Sequence, residues 1–209
     1  MLKFIDPTER WNVFTHALGV ILGIGASIYF FTQHAAEVSR VLIALGVYCF
    51  SLVFLFSAST MYHAVSGDIK LIWRKIDHIA ILFLIAGTYT PVTLTLLYET
   101  SGIWILTGVW SIAAGGFVFK IFYTGRFEIL SIIMYLGMGW FILLDAQTVW
   151  ELFSTNAFIF LIIGGSCYTI GVFFYRWKGY KEAHAIWHVW VLAGALSHAF
   201  MINEILLIN

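Results

Sequence analysis

Seven apolar stretches follow one another along this chain, and no other feature restricts its fold so severely. They run over residues 13–32, 41–65, 76–97, 103–123, 129–149, 157–175 and 183–207, with short links between them. A helix rises about 1.5 Å per residue, so about 20 residues cross the ~30 Å hydrocarbon core of a bilayer. Strands of a membrane barrel would be about half as long and would alternate polar with apolar residues, which these segments do not do. Of the 209 residues, 61% are hydrophobic and only 11% charged, which leaves a water-soluble domain too little polar surface to cover itself. The expectation is an all-α, seven-transmembrane helix bundle that forms a single membrane domain over residues 1–209.

The charges orient that bundle. Lys and Arg total 11, as do Asp and Glu, but the zero sum hides an asymmetry. Lys3 and Arg10 precede the first segment, and Lys70, Arg74 and Lys75 occupy the second loop. Lys120 and Arg126 flank the fourth loop, Arg176, Lys178 and Lys181 the sixth, and Arg40 alone stands on the other side. By the positive-inside rule the N-terminus is cytoplasmic and the C-terminus external. No basic cluster is large enough to suggest nucleic acid; these cations anchor spans at the inner headgroups. Trp11, Trp73, Trp150 and Trp177 near segment ends fit interfacial belts.

Other features speak to packing. Gly19, Gly23, Gly115-Gly116 and Gly164-Gly165 would let helices approach closely. Pro91 should kink the third span and free the carbonyl of Gly87. Cys49 and Cys167 fall in mid-span and read as small buried hydrophobes. The first segment follows Lys3 and Arg10 as a signal peptide would, but it is too long and opens with Asn12, Thr15 and His16, so it reads as a span.

Against this apolar background a few polar residues converge. His63 ends the second segment, which runs inward; Asp77 opens the third, and His184 and His188 open the seventh. All four therefore reach one leaflet, with Ser59 one turn deeper than His63. Ionisable side chains in a bilayer are costly, and a converging set of them marks a functional site. Taken singly, each reads equally well as a polar residue reaching for headgroups; their common depth favours a metal site.

His184 and His188 are four residues apart, which stacks them on one helix face. Three neutral imidazoles from His63, His184 and His188 leave one position open, the ligand count of catalytic zinc. Zinc so held would lower the pKa of a water to roughly 7. Asp77 would orient that water or take its proton, and Ser59 would bond Asp77, the water or a developing oxyanion.

The remaining histidines are weighed separately. His198 lies about 15 Å beyond His188 by helical rise and cannot share its metal. With His16, Asn12 and Glu9 it forms a buried polar network, or each histidine is simply hydrogen-bonded between helices. His78 points about 100° away from Asp77 and serves packing or supports the site. His34 in an outer loop is expected to be solvated. Asp145 and Glu151 near the outer face carry no assigned chemistry.

These residues also form a pattern. Glu9-Arg-Trp-Asn12-Val-Phe-Thr15-His16, Ser59-Thr-Met-Tyr-His63, Lys75-Ile-Asp77-His78, Ala86-Gly-Thr-Tyr-Thr-Pro91 and His184-Ala-Ile-Trp-His188 followed by His198 resemble the hemolysin III family in order and over nearly the whole chain. That family stands with the progestin and adipoQ receptors, which include the adiponectin receptors, and more distantly with alkaline ceramidases. The resemblance implies a bacterial inner-membrane protein of seven helices. It implies zinc on His63, His184 and His188 near the cytoplasmic face, with Ser59 and Asp77 beside the zinc-bound water. It also implies hydrolysis of an amide in a membrane lipid.

Three functions compete. A zinc-dependent lipid amidase acting in membrane lipid homeostasis ranks first, because the site supplies a nucleophile and a base and lipid can enter sideways. A sensor of membrane state with structural zinc ranks second and would need a separate effector protein. A hemolytic pore ranks third: it needs a continuous polar stripe, and the outer halves of these segments are almost wholly apolar.

Overall fold

The computed structural model describes residues 5–207, and among these every regular element is helical. In chain order they are α1 (Arg10–Gln33), α2 (Ser39–Ala64), α3 (Asp68–Leu94), α4 (Gly102–Tyr123), α5 (Glu128–Gly139), α6 (Ala146–Leu152), α7 (Thr155–Arg176) and α8 (Ala183–Leu206), with a 3-10 turn over Phe141–Asp145. Lys3, counted above with the inner charges, lies outside the described residues.

Among the described residues six helical runs are long and apolar enough to cross a membrane: α1, α2, α4, the α5–α6 run from Glu128 to Leu152, α7 and α8. α3 stands apart from the six. It starts at Asp68 rather than at residue 76, so its opening turns carry Asp68, Lys70, Arg74, Lys75 and Asp77. Its second half is enclosed, with Ala86 through Thr93 all buried. Thr88, Thr90 and Thr93 bond back to the carbonyls of Leu84, Ala86 and Tyr89 at 2.8–2.9 Å, so no hydroxyl is left bare in the interior.

The segment expected as one span over 129–149 is broken. α5 ends at Gly139, and a 3-10 turn intervenes before α6. Gly137 and Gly139 weaken the helix here. The hydroxyl of Tyr89, on α3, donates to the Gly139 carbonyl at 2.9 Å and accepts from the Ile142 amide at 3.0 Å. One side chain thus satisfies two backbone groups that a continuous helix would have paired.

α1 packs between α2 and α8, α7 lies along α8, and α3 touches α2, α4, α5 and α8, which makes it the innermost helix. A Cβ at Gly19 would meet the Phe56 ring at 2.4 Å, one at Gly87 the Ser51 hydroxyl at 2.1 Å, and one at Gly164 the His198 ring at 2.2 Å. At these points the helices are as close as glycine allows. Gly115, expected to do the same, has nothing within 4 Å; its neighbour Gly116 is the one that packs, against Leu82 and Met134. Cys49 and Cys167 are buried and unbridged.

The outward faces are apolar: Ile21, Phe50, Phe122 and Phe173 are 64–71% exposed. An apolar exterior this extensive belongs in lipid, and the chain is a membrane protein. At one end of the bundle the N-terminal segment and three links meet. Lys70 bonds Glu9 at 2.8 Å, Arg176 reaches Glu128 at 3.5 Å, and Arg74 lies against Gly125.

Candidate metal centre

His63 lies in the last turn of α2, and His184 and His188 in the first two turns of α8. The fold brings them to the crowded end of the bundle, where one ligand nitrogen from each lies within 4.8 Å of the others. Ring centroids are 4.9 Å apart for His63–His188, 5.1 Å for His63–His184 and 4.7 Å for His184–His188. Adjacent turns of α8 bring His184 and His188 together, as their spacing predicts.

Each ring has two nitrogens, and the outer one is already engaged for two of the three. His63 Nδ1 lies 2.7 Å from Glu9 Oε2 and, since a carboxylate only accepts, the imidazole donates. His188 Nδ1 is 3.3 Å from the Asn12 carbonyl and from Thr15 Oγ1. The Thr15 hydroxyl donates to the carbonyls of Trp11 and Asn12 at 2.9 and 3.0 Å, so toward His188 it can accept. Both imidazoles are thereby held with the proton on Nδ1 and a lone pair on Nε2. Those two Nε2 atoms are buried without a hydrogen-bond partner, an expensive state for a polar atom unless something binds there. Buried imidazole nitrogens without partners, on rings oriented by backing acceptors and clustered with a third histidine, are a donor set that suits zinc and other imidazole-binding transition metals.

Glu9 is itself tied down. Besides His63 it accepts from Asn12 Nδ2 at 2.7 Å and Lys70 Nζ at 2.8 Å. Burial opposes ionisation of its carboxyl, but the bonds from His63, Lys70 and Asn12 outweigh that and hold it well below the usual glutamate range.

Sequence reasoning placed Glu9, Asn12 and His16 in a network with His198. The structure divides that group. Glu9, Asn12 and Thr15 back the candidate ligands, and the His16 ring stacks on His188 at 3.6 Å and meets Phe56 edge-on at 5.2 Å. His198 stands apart against α7, its Nε2 3.5 Å from the Leu161 carbonyl. The signal was in the sequence: Glu9, Asn12 and His16 recur at helical spacing on one face, the only polar stripe at that end of α1. His34, expected in water, is buried 3.9 Å from Glu37.

Asp77 and Ser59 are both buried, on the adjacent helices α3 and α2. Asp77, His16 and His184 line a cavity of about 340 Å³. Arg74 and Lys178 border it at the crowded end; Tyr89, Trp140 and His198 border it farther in. From Asp77 to Tyr89 along α3 the cavity extends about 18 Å by helical rise. Its middle is apolar, walled by residues such as Leu84, Ile85, Leu136 and Val191.

The sequence matches the family described as "Haemolysin-III related" over residues 4–199. It is 39% identical over 201 residues to the "Hemolysin-3 homolog" of Bacillus subtilis, covering 95% of this chain and 94% of that protein. It is 36% identical over 205 residues to "Hemolysin-3" of Bacillus cereus, covering 97% and 93%. It is 27% identical over 198 residues to the human "Monocyte to macrophage differentiation factor", covering 91% and 81%. A match spanning nearly the whole chain, including the segments that carry His63, His184 and His188, settles its kinship: the chain belongs to the haemolysin-III-related family.

Proposed function

We propose that this protein is a zinc-dependent hydrolase of a lipid amide in the inner membrane of a bacterium. The observation that carries the reading is the pair of buried, unpartnered Nε2 atoms of His63 and His188 beside His184, which together with Asp77 lines an apolar cavity. His63, His184 and His188 would hold the ion. Zinc on three neutral ligands supplies the positive charge that lowers the pKa of water to roughly 7.

The chain's own residues supply the rest. Asp77 accepts the proton of the attacking water and returns it to the leaving nitrogen, so the amide C–N bond breaks to a carboxylic acid and an amine. Ser59 would hydrogen-bond that carboxylate and hold it in place. The cavity encloses the acyl chain and keeps bulk water away from the reacting carbonyl.

In this reading α3 is the seventh span. At 27 residues it measures about 40 Å, long enough to cross with its charged opening turns in the headgroup region. With ten of 11 Lys and Arg on the side of the N-terminus, the N-terminus is cytoplasmic, the C-terminus external and the metal centre near the cytoplasmic face.

The test is Asp77→Asn. Removing a general base typically lowers the rate about 10²–10⁴-fold while the ligands stay intact. The variant is expected to keep its zinc and lose hydrolysis of a long-chain acyl amide. Zinc loss in parallel with His63→Ala would make Asp77 a ligand, and full activity with full zinc would refute the hydrolytic role.

A further inference from the structure

Lys120 is the least expected side chain in the molecule. It sits near the end of α4 and is only 1% exposed. Its Nζ donates to Ser131 Oγ at 2.6 Å and lies 3.3 Å from His78 Nδ1, both neutral. Among the described residues no carboxylate comes within ion-pairing distance of it. The charged groups that act on it are Arg74, which repels it, and Glu128, which attracts it but already faces Arg176 at 3.5 Å. A fully buried lysine normally faces a carboxylate, because the ammonium loses its hydration.

Lys120 is also part of the cavity wall, as are Arg74, His78, Ser131, Arg126 and Lys178. Four cations and two carboxylates, Asp77 and Glu128, border this end of it. The Arg74 guanidinium is packed on the backbone of Gly125, where φ is +81° and a Cβ would sit 3.0 Å from Nη1. That residue's lack of a side chain is what lets the arginine lie against the turn. Tyr135 closes the wall, its hydroxyl donating to the His78 carbonyl at 3.0 Å. The result is a positive mouth opening on an apolar chamber.

We propose that this end of the cavity binds the anionic group of an amphiphile, a phosphate or a carboxylate, on Lys120 and Arg74, with the acyl chain running inward toward Trp140 and His198. The inference builds on the hydrolase reading and narrows its substrate: the lipid amide carries an anionic headgroup. The partners of Lys120 Nζ are neutral: Ser131, His78 and the rings of Tyr135 and Phe119 at 5.4 and 5.9 Å. An oxyanion supplies the counter-charge that both Lys120 and Arg74 lack in the ion pairs of the described residues. A neutral headgroup does not.

Binding, rather than turnover, tests this, so the answer is independent of whether the amide is cleaved. Full-length protein in neutral detergent is titrated calorimetrically with myristate, myristoyl lysophosphatidate, monomyristoylglycerol and inorganic phosphate. At least one anionic amphiphile is expected to bind about tenfold or more tightly than the neutral one, and Lys120→Gln and Arg74→Gln should each remove most of that preference. Lys120→Arg should restore it, and helical circular dichroism with a single size-exclusion peak shows that the variants' bundle is intact. Equal affinity for the neutral amphiphile overturns the proposal. So does a preference that survives Lys120→Gln but disappears in His188→Ala, which would put the anion on the metal. Inorganic phosphate competing as well as the amphiphile would make this a free-anion site and overturn the lipid assignment.

Discussion

The carboxylate of Glu9 accepts hydrogen bonds from side chains on three helices: Asn12 on α1, His63 on α2 and Lys70 on α3. It therefore fixes the tautomer of one candidate ligand and ties the entry of α1 to the other two helices. Partners of this kind typically change metal affinity about 10–100-fold when lost. Glu9→Gln is accordingly expected to weaken zinc binding by that factor, read by competition with a chelator. The folded-state pKa of Glu9 is depressed, so the contribution of its carboxylate is complete above the free-glutamate value of 4.5 and is lost as pH falls toward the lower folded value. Unchanged zinc affinity in Glu9→Gln at neutral pH would contradict a backing role for the carboxylate. The three imidazoles were legible in the sequence, because the i, i+4 pair and the segment ends set their depth. Glu9 was legible only as part of a polar stripe with Asn12 and His16; that its partner is His63 shows only when the helices are assembled.

At the scale of the helices, apolar length announced most of the elements, and the two departures have local causes. α3 begins ahead of its apolar stretch because Asp68 through Lys75 are helical with their charges exposed or half-buried, whereas hydropathy marks only the apolar part. The 129–149 segment looks continuous in hydropathy but breaks after Gly139, and the group that stabilises the break, the Tyr89 hydroxyl, comes from another helix. No reading of the segment by itself could supply it. With α3 as a span the count is odd, and the two termini lie on opposite sides. Reporter fusions at Ile5 and after Asn209 are expected to give opposite answers, cytoplasmic for the first and external for the second. The same compartment for both would remove α3, or another helix, from the set that crosses.

At the scale of the molecule, one end of the bundle gathers the polar residues and the rest is built for lipid. The ends of α2 and α7 and the starts of α1, α3 and α8 meet there, so candidate ligands, their backing acceptors and the mouth of the cavity form one neighbourhood. That the imidazoles lie at one end of the bundle follows from counting helices, but that His184 lines an elongated cavity with a buried lysine does not, since Lys120 in the sequence looks like one more loop-end cation. The account depends most on a metal held by the three histidines. Its most direct test is the zinc content of the intact protein, purified without chelator, beside the His184→Ala, His188→Ala double variant. About one zinc per chain is expected in the first and close to none in the folded double variant; full occupancy in the double variant, or no transition metal in the native protein even after zinc is supplied, would contradict it.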